Sequence, residues 1–262
     1  MVKAMNTAAT GMVAQQMNID NIANNLANVN TTGFKKGRVE FQDILYQNYR
    51  KAGTASAIGT TVPVSLDVGY GARAVATTRE FSSGSVMVTG NPTDLAIGGA
   101  GFFQIQMPDG TTSYTRDGSF KISSEGNLVT VDGFQVLPAI TIPQDATEVS
   151  VTIDGQAFAK VIGNETPQQI GQLELARFIN PAGLSAVGHN LYTETVASGT
   201  PITGIPATDG LGRIDQGSLE SSNVSVVDEM VNMIMAQRSY EINSKVIQTS
   251  DEMSQTTNNL KR

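Results

Sequence analysis

Cysteine and tryptophan are absent from this 262-residue chain, and histidine occurs once, at His189. Without cysteine there are no disulfides, iron–sulfur clusters, zinc ribbons or thiol nucleophiles. One histidine excludes histidine-based metal clusters and paired-histidine acid–base chemistry. Charge is also sparse: 16% of residues carry it, and the net charge is −7. So acidic a chain lacks the basic face that general nucleic-acid binding requires. No apolar run approaches the ~18 residues of a membrane-spanning helix. Near the start, Asn6, Thr7, Thr10, Gln15 and Gln16 interrupt the apolar core that a cleavable signal needs. The expected location is the cytosol, or a site reached by export that leaves the N-terminus intact.

Glycine is plentiful, at 26 residues, but without a three-residue period, so it suits turns rather than a collagen-like repeat. The chain reads as α+β, with helical ends around a β-rich middle. Residues 4–32 contain no proline and only one glycine, Gly11. Met5, Met12, Ile19 and Leu26 recur every seventh residue. Ala8, Gln15, Ile22 and Val29 form a second such series, completing a coiled-coil-like seam with a polar gap at Gln15. Gly33 reads as a left-handed helix stop. At the other end, Ser225 with Asp228 resembles a capping box. Val226, Met233, Tyr240 and Ile247 then recur at seven, flanked by Val227 and Ile234, while Met230, Val231, Ile242, Val246 and Met253 widen the apolar surface. Arg238, Glu241 and Lys245 are spaced to pair along the exposed side.

Between the helices the period changes to two, in runs such as Ala72–Phe81, Phe102–Met107, Asn127–Val131, Glu148–Ile153 and Leu173–Ile179. Asp109-Gly110, Asp117-Gly118, Asp132-Gly133 and Asp154-Gly155 supply hairpin turns, so the middle is expected to be mainly antiparallel. Residues 47–71 fit neither period. Their Gly53, Gly59, Pro63, Gly69 and Gly71, set among threonines and serines, predict an extended connector. The expected organisation is a terminal helical assembly domain (1–33 with 225–262), an extended linking domain (34–71) and an outer β domain (72–224), with 143–188 a candidate sub-part.

The motifs that suggest chemistry are weak. Gly98-Gly99-Ala100-Gly101 lacks the Gly-Lys-Ser/Thr ending of a phosphate loop and reads as a tight turn. Of Asp94, Asp109, Asp117 and Asp132, three precede glycine and serve turns better than a glycosidase. His189, between Gly188 and Asn190, sits in a loop-like stretch. No catalytic, metal-binding or cofactor-binding residue is expected, and no cofactor.

The helices admit two readings: an intramolecular staple for the β domain, or an assembly surface. From Val2 to Gly33 only Lys3 and Asp20 are charged, and asparagine, glutamine and threonine fill the polar positions. A solvated face normally carries lysine and glutamate. An uncharged, amide-rich face suits a helix surrounded by protein, where isolated charges would lose their hydration. This favours assembly, with Met5, Ala8, Met12, Ile19, Ile22, Leu26, Val29, Val226, Met230, Met233, Tyr240 and Ile247 as the subunit interface.

Two long stretches, NIANNLANVNTTGFKK (Asn21–Lys36) and MVNMIMAQRSYEINSKVIQTSDEM (Met230–Met253), resemble the terminal signatures of the bacterial flagellar rod and hook proteins. NPTDLAIGGAGFFQI (Asn91–Ile105) and YTRDGSF (Tyr114–Phe120) resemble the β region of that family's longer members. Asn6 departs from the aromatic found in many relatives. The resemblance implies terminal helices packed from many copies into a tube around an export channel, with the connector outside them and the β domain outermost. It implies a non-enzymatic subunit of the basal body in the cell envelope and periplasm. The implied partners are further copies of the chain, the proximal rod and hook proteins, the envelope ring bushing and the type III export apparatus. Nucleic acid, small-molecule substrate and membrane insertion are not implied. Length and the 47–71 connector point to the distal rod, a straight, rigid, hollow shaft carrying torque to the hook. Tyr46, Tyr49, Arg50 and Pro63 are the expected stiffening contacts of that connector. The rivals are another axial protein, hook or proximal rod, and a secreted carbohydrate-acting β enzyme.

Overall fold

The computed structural model describes residues 2–57, 60–161 and 166–260. Gly59 of the expected connector and part of the 143–188 stretch lie outside them. The chain divides into two compact units: Met1–Leu26, Gly37–Thr78 and Ser225–Arg262 form one, and Ala27–Lys36 with Arg79–Val224 form the other.

The first unit holds two helices, α1 (Val2–Ala27) and α2 (Val226–Leu260). Helix α1 stops short of Gly33. The Asn- and Thr-rich sequence that follows turns on itself instead, with the Thr31 amide donating to the Asn28 carbonyl at 3.2 Å and the Thr31 hydroxyl to the Asn28 side chain at 3.1 Å. Such side chains compete with helical hydrogen bonds. Gly33 does adopt the left-handed conformation (φ 66°), but as part of a turn rather than as the helix stop. Helix α2 begins where expected: the Asp228 amide donates to the Ser225 hydroxyl at 3.5 Å, one half of the capping box, and Asp228 and Glu229 place negative charge on the first turn. The expected pairs of Arg238 and Lys245 with Glu241 do not form among the described residues.

The expected connector is a paired arm. Strands β1 (Gly37–Asp43), β2 (Tyr46–Arg50), β3 (Ala55–Ala57), β4 (Thr60–Thr61), β5 (Leu66–Gly69) and β6 (Ala72–Arg79) nest as one ribbon: β1 with β6, β2 with β5, β3 with β4. Hydrogen bonds from Ile44 to Gly71 (2.9 Å) and from Tyr70 to Leu45 (3.2 Å) join the first two rungs. A domain boundary at 71–72 would therefore cut a strand pair. The ribbon escaped notice because both faces of β2 and β5 are largely exposed, so no alternation marks them, and no tight turn pair joins them.

In the second unit a nine-stranded sheet is built around Phe102–Gln106, and every recorded pairing within it is antiparallel. Alternation along that central strand sends Phe103 and Ile105 into one core, with Leu95, Ile97, Phe120 and Val136. It sends Phe102 into another, with Tyr114, Phe178 and Tyr192. The aromatic rings of both cores meet edge to face, Phe103 with Phe120 at 5.0 Å and Tyr114 with Phe178 at 4.8 Å. The Asp-Gly pairs at 109–110, 132–133 and 154–155 close hairpins as expected. Asp117-Gly118 does not. A Cβ on Gly118 would lie 1.6 Å from the Leu95 carbonyl oxygen, so this glycine is a place where two backbones touch. The sheet Ala146–Val151, Gln156–Val161, Gln168–Gln172 shares the main core, because Ala157 is buried in it and Val151 and Ile170 pack against it.

Three charged side chains of this unit form one buried cluster. Lys35 donates to Glu220 at 2.6 Å and to the Ser82 carbonyl at 2.7 Å. Arg116 reaches Glu220 at 3.3 Å and the Gly99 carbonyl at 2.8 Å. The Gly84 amide adds a third hydrogen bond to Glu220, at 2.9 Å. All three side chains are at most 3% exposed. Burial pushes both cations below their ordinary pKa, and Glu220 partly offsets it. Removing the charge at Glu220 leaves two buried cations without their anion. Glu220→Gln, which keeps the shape, is expected to destabilise this unit by about 3–5 kcal/mol in urea denaturation. A cost under about 1 kcal/mol would show that the cluster does not hold the fold.

Candidate assembly surfaces

The residues considered for chemistry are engaged in local structure. Asp117 accepts hydrogen bonds from the Thr32 hydroxyl at 2.9 Å and the Ser119 amide at 3.0 Å. Asp94 accepts from Thr89 at 2.7 Å and Asn91 at 2.9 Å. Asp109 accepts from the Thr111 hydroxyl and amide, which hold its carboxyl below the ordinary value. His189 and Asn190 form a two-residue turn with positive φ, and the His189 ring meets Asp132 at 3.1 Å on the surface. Gly98 to Gly101 form the turn into the central strand. Among the described residues no cluster of potential metal ligands occurs, and no helix is long and apolar enough to cross a membrane.

The two helices offer more. Asn25 on α1 donates to Glu229 on α2 at 3.1 Å, and a Cβ on Gly11 would lie 2.9 Å from the Asn243 amide. The steps Asn25 to Gly11 and Glu229 to Asn243 each cover fourteen residues in opposite senses, which makes the helices antiparallel at these contacts. The α2 row facing inward is Glu229, Met233, Ala236, Asn243, Ile247 and Ser250, at heptad spacing but mostly small or polar. Asn25 also clamps the ribbon, accepting from the Gly37 amide and donating to its carbonyl, both at 2.9 Å.

The residues expected at the subunit interface differ in their exposure within the chain. Ala8 and Ile22 are buried, and Met5, Met12, Ile19, Leu26, Met233 and Ile247 are partly so. Val226, Met230 and Tyr240 are exposed. Val29 lies past the end of α1 and belongs to the other unit. Ala14 and Asn25 are buried without having been on the seam. Asn25 and Glu229 escaped notice because a hydrophobic pattern registers only apolar residues.

Most of the large apolar residues of α2 therefore face away from α1. Val231 and Ile234 are half exposed, and Met235 and Ile242 are 63% and 64% exposed. Monomeric proteins rarely leave such a continuous apolar surface uncovered. On the ribbon, Tyr46 and Tyr49 are exposed with Leu66 and Val68, and Arg50 and Pro63 also face outward. Tyr49 is anchored within its own chain: the Lys3 ammonium donates to its hydroxyl and to Gln47 and lies 4.8 Å from its ring centre. The bond to Tyr49 raises the Lys3 pKa.

Three family models match along the chain. One described as "Flagella basal body rod protein" covers residues 5–35, one for the "Flagellar hook protein FlgE/F/G D1 domain" covers 96–159, and one for the "Flagellar basal body rod FlgEFG protein C-terminal" covers 215–260. The flagellar basal-body rod protein FlgG of Borreliella burgdorferi is 54% identical over 264 residues, spanning 100% of both chains. FlgG of Caulobacter vibrioides is 46% identical, covering 99% of this chain and 100% of its own. The rod protein FlgF of the same bacterium is 35% identical, covering 90% of this chain and 88% of its own. Matched at both helices and in the β unit, and aligned end to end with such relatives, the chain belongs to the flagellar basal-body rod protein family, whose members are structural and not enzymes.

Proposed function

We propose that the chain is the structural subunit of the distal rod, polymerising through its terminal helices into a straight, hollow shaft that carries torque to the hook. The observation that carries this is the outward apolar face of α2, with Val231, Ile234, Met235 and Ile242 left exposed. Each would gain roughly 1–2 kcal/mol on burial against neighbouring subunits, repeated at every subunit. The distal position is supported by the higher identity to FlgG than to FlgF within one organism. In this reading the partners are further copies of the chain, the proximal rod and hook proteins at the shaft's ends, and the ring bushing around it. Export proceeds through the type III apparatus to the periplasmic part of the basal body.

Polymerisation of the purified chain, followed by electron microscopy, tests the reading. The double substitution Ile234→Asp/Met235→Asp places two charges where neighbours would bury them, at a cost of several kcal/mol per subunit. It is expected to abolish filaments while the unit formed by 27–36 and 79–224 keeps its thermal transition. Filaments as abundant and regular as those of the unsubstituted chain would overturn the helical interface.

The ribbon is proposed to stiffen the shaft. Its paired strands form a braced arm, and its exposed Tyr46, Leu66 and Val68 offer apolar contacts to neighbouring copies. Replacing Tyr46–Gly69 by an Asn-Gly turn keeps β1 paired with β6, because that dipeptide suits a two-residue hairpin. Subunits are expected to add normally but to form filaments of shorter persistence length, measured on micrographs. Unchanged stiffness would reduce the arm to a tether and remove one support for the distal position.

A further inference from the structure

Within the first unit an open groove of about 520 Å³ runs between α1 and the ribbon, lined by Met17, Asp20, Val39, Ala74, Val75 and Thr77. Its wall is fixed from behind, because Asn21 donates to the Gly37 carbonyl at 2.8 Å. Met17 and Val75 are about half exposed. Of its lining residues Met17, Val39, Ala74 and Val75 are apolar, Asn21 and Thr77 are polar, and Asp20 carries a charge. Between Val2 and Gly33 only Lys3 and Asp20 are charged, and Lys3 is engaged by Gln47 and Tyr49. Asp20 accepts a hydrogen bond from Gln16 at 3.1 Å and, among the described residues, forms no ion pair.

The complementary surface is on α2. Ile234, Arg238 and Ile242 follow one another at four-residue steps, so they form a single outward row with the guanidinium between two apolar side chains. Arg238 forms no ion pair among the described residues. At 1.5 Å per residue the two isoleucines are about 12 Å apart. The strand wall from Ala74 to Thr77 is about 10 Å long at ~3.3 Å per residue. The row therefore matches the groove in length, in pairing apolar side chains with one charge, and in the sign of that charge.

We propose that the groove receives the Ile234–Arg238–Ile242 row of a second copy of this chain, with Arg238 of one copy paired to Asp20 of the next. Groove and row are different surfaces of the same chain. Each copy that fills a groove also presents a groove, so the contact is head-to-tail and propagates. The planar guanidinium suits this site, since it can meet a carboxylate with two parallel hydrogen bonds while its stem packs on apolar neighbours. The inference rests on the self-assembly proposed above and adds the residues that set its register.

Charge exchange tests it. Asp20→Arg and Arg238→Asp are made singly and together in the full chain, and the critical concentration for filament formation is measured by sedimentation. Both sites are exposed, so circular dichroism of each variant is expected to match the parent. Each single change is expected to raise the critical concentration by about tenfold or more, through like charges facing each other. The double change is expected to bring it back towards the parent value. Parental polymerisation by either single variant would remove this contact while leaving self-assembly standing. A double variant no better than the singles would likewise overturn the pairing. Failure of the unsubstituted chain to polymerise would overturn both this inference and the reading beneath it.

Discussion

A single carboxylate organises the β unit. Glu220 contacts two buried cations, Lys35 and Arg116, and it also accepts the Gly84 amide. Charges taken out of water are tolerable only with close partners, so the segments that carry these groups must arrive together. The consequences spread through the backbone. The Gly33 amide donates to the Glu220 backbone carbonyl at 2.8 Å, which fastens the turn after α1 to the segment that carries the cluster. Arg116 passes over the Phe102 ring at 5.3 Å and holds the Gly99 carbonyl, which pins the glycine turn at the start of the central strand. The segment that carries Glu220 thus joins the buried cluster to the turn at Gly33, and Arg116 joins it to the Gly98–Gly101 turn.

The helical unit follows a different constraint. Small and polar residues, Gly11, Asn25, Asn243 and Ser250, occupy positions where the helices meet or where α2 is buried, and most bulky apolar residues of α2 point away. Small side chains let two helices approach closely, and Asn25 donates to the Glu229 carboxylate across the pair. Such a pair holds its own geometry but leaves most of its hydrophobic gain unrealised. That gain becomes available when other copies cover the outward face, which is the physical sense in which the subunit is built for a polymer. The scarcity of charge on α1 fits the same logic, since any unpaired charge would be repeated at every subunit.

The two turns that misled the reading of the sequence share a cause. Asp117-Gly118 has the composition of a hairpin turn, yet its glycine is required by the nearby Leu95 backbone. Gly33 has the composition of a helix stop, yet a Cβ there would lie 2.6 Å from the backbone of Arg116 and Asp117, far along the chain. In both cases the local signal was sound and the partner was remote. The ribbon was missed for the opposite reason: β2 and β5 bury little, so their pairing left no mark on the hydrophobic pattern.

The sequence by itself determined the α+β class, the helical ends, the three Asp-Gly hairpins, the absence of thiol and histidine chemistry, and the resemblance that places the chain in its family. These depend on residue type and short-range spacing, which the chain carries in full. Only the tertiary structure decided which helix faces meet, that residues 47–71 fold back as a paired arm, and that Lys35, Arg116 and Glu220 share one buried site. These depend on contacts between residues distant in sequence. A polar side chain such as Asn25 or Glu229 looks the same in a sequence whether it faces water or fills a buried position.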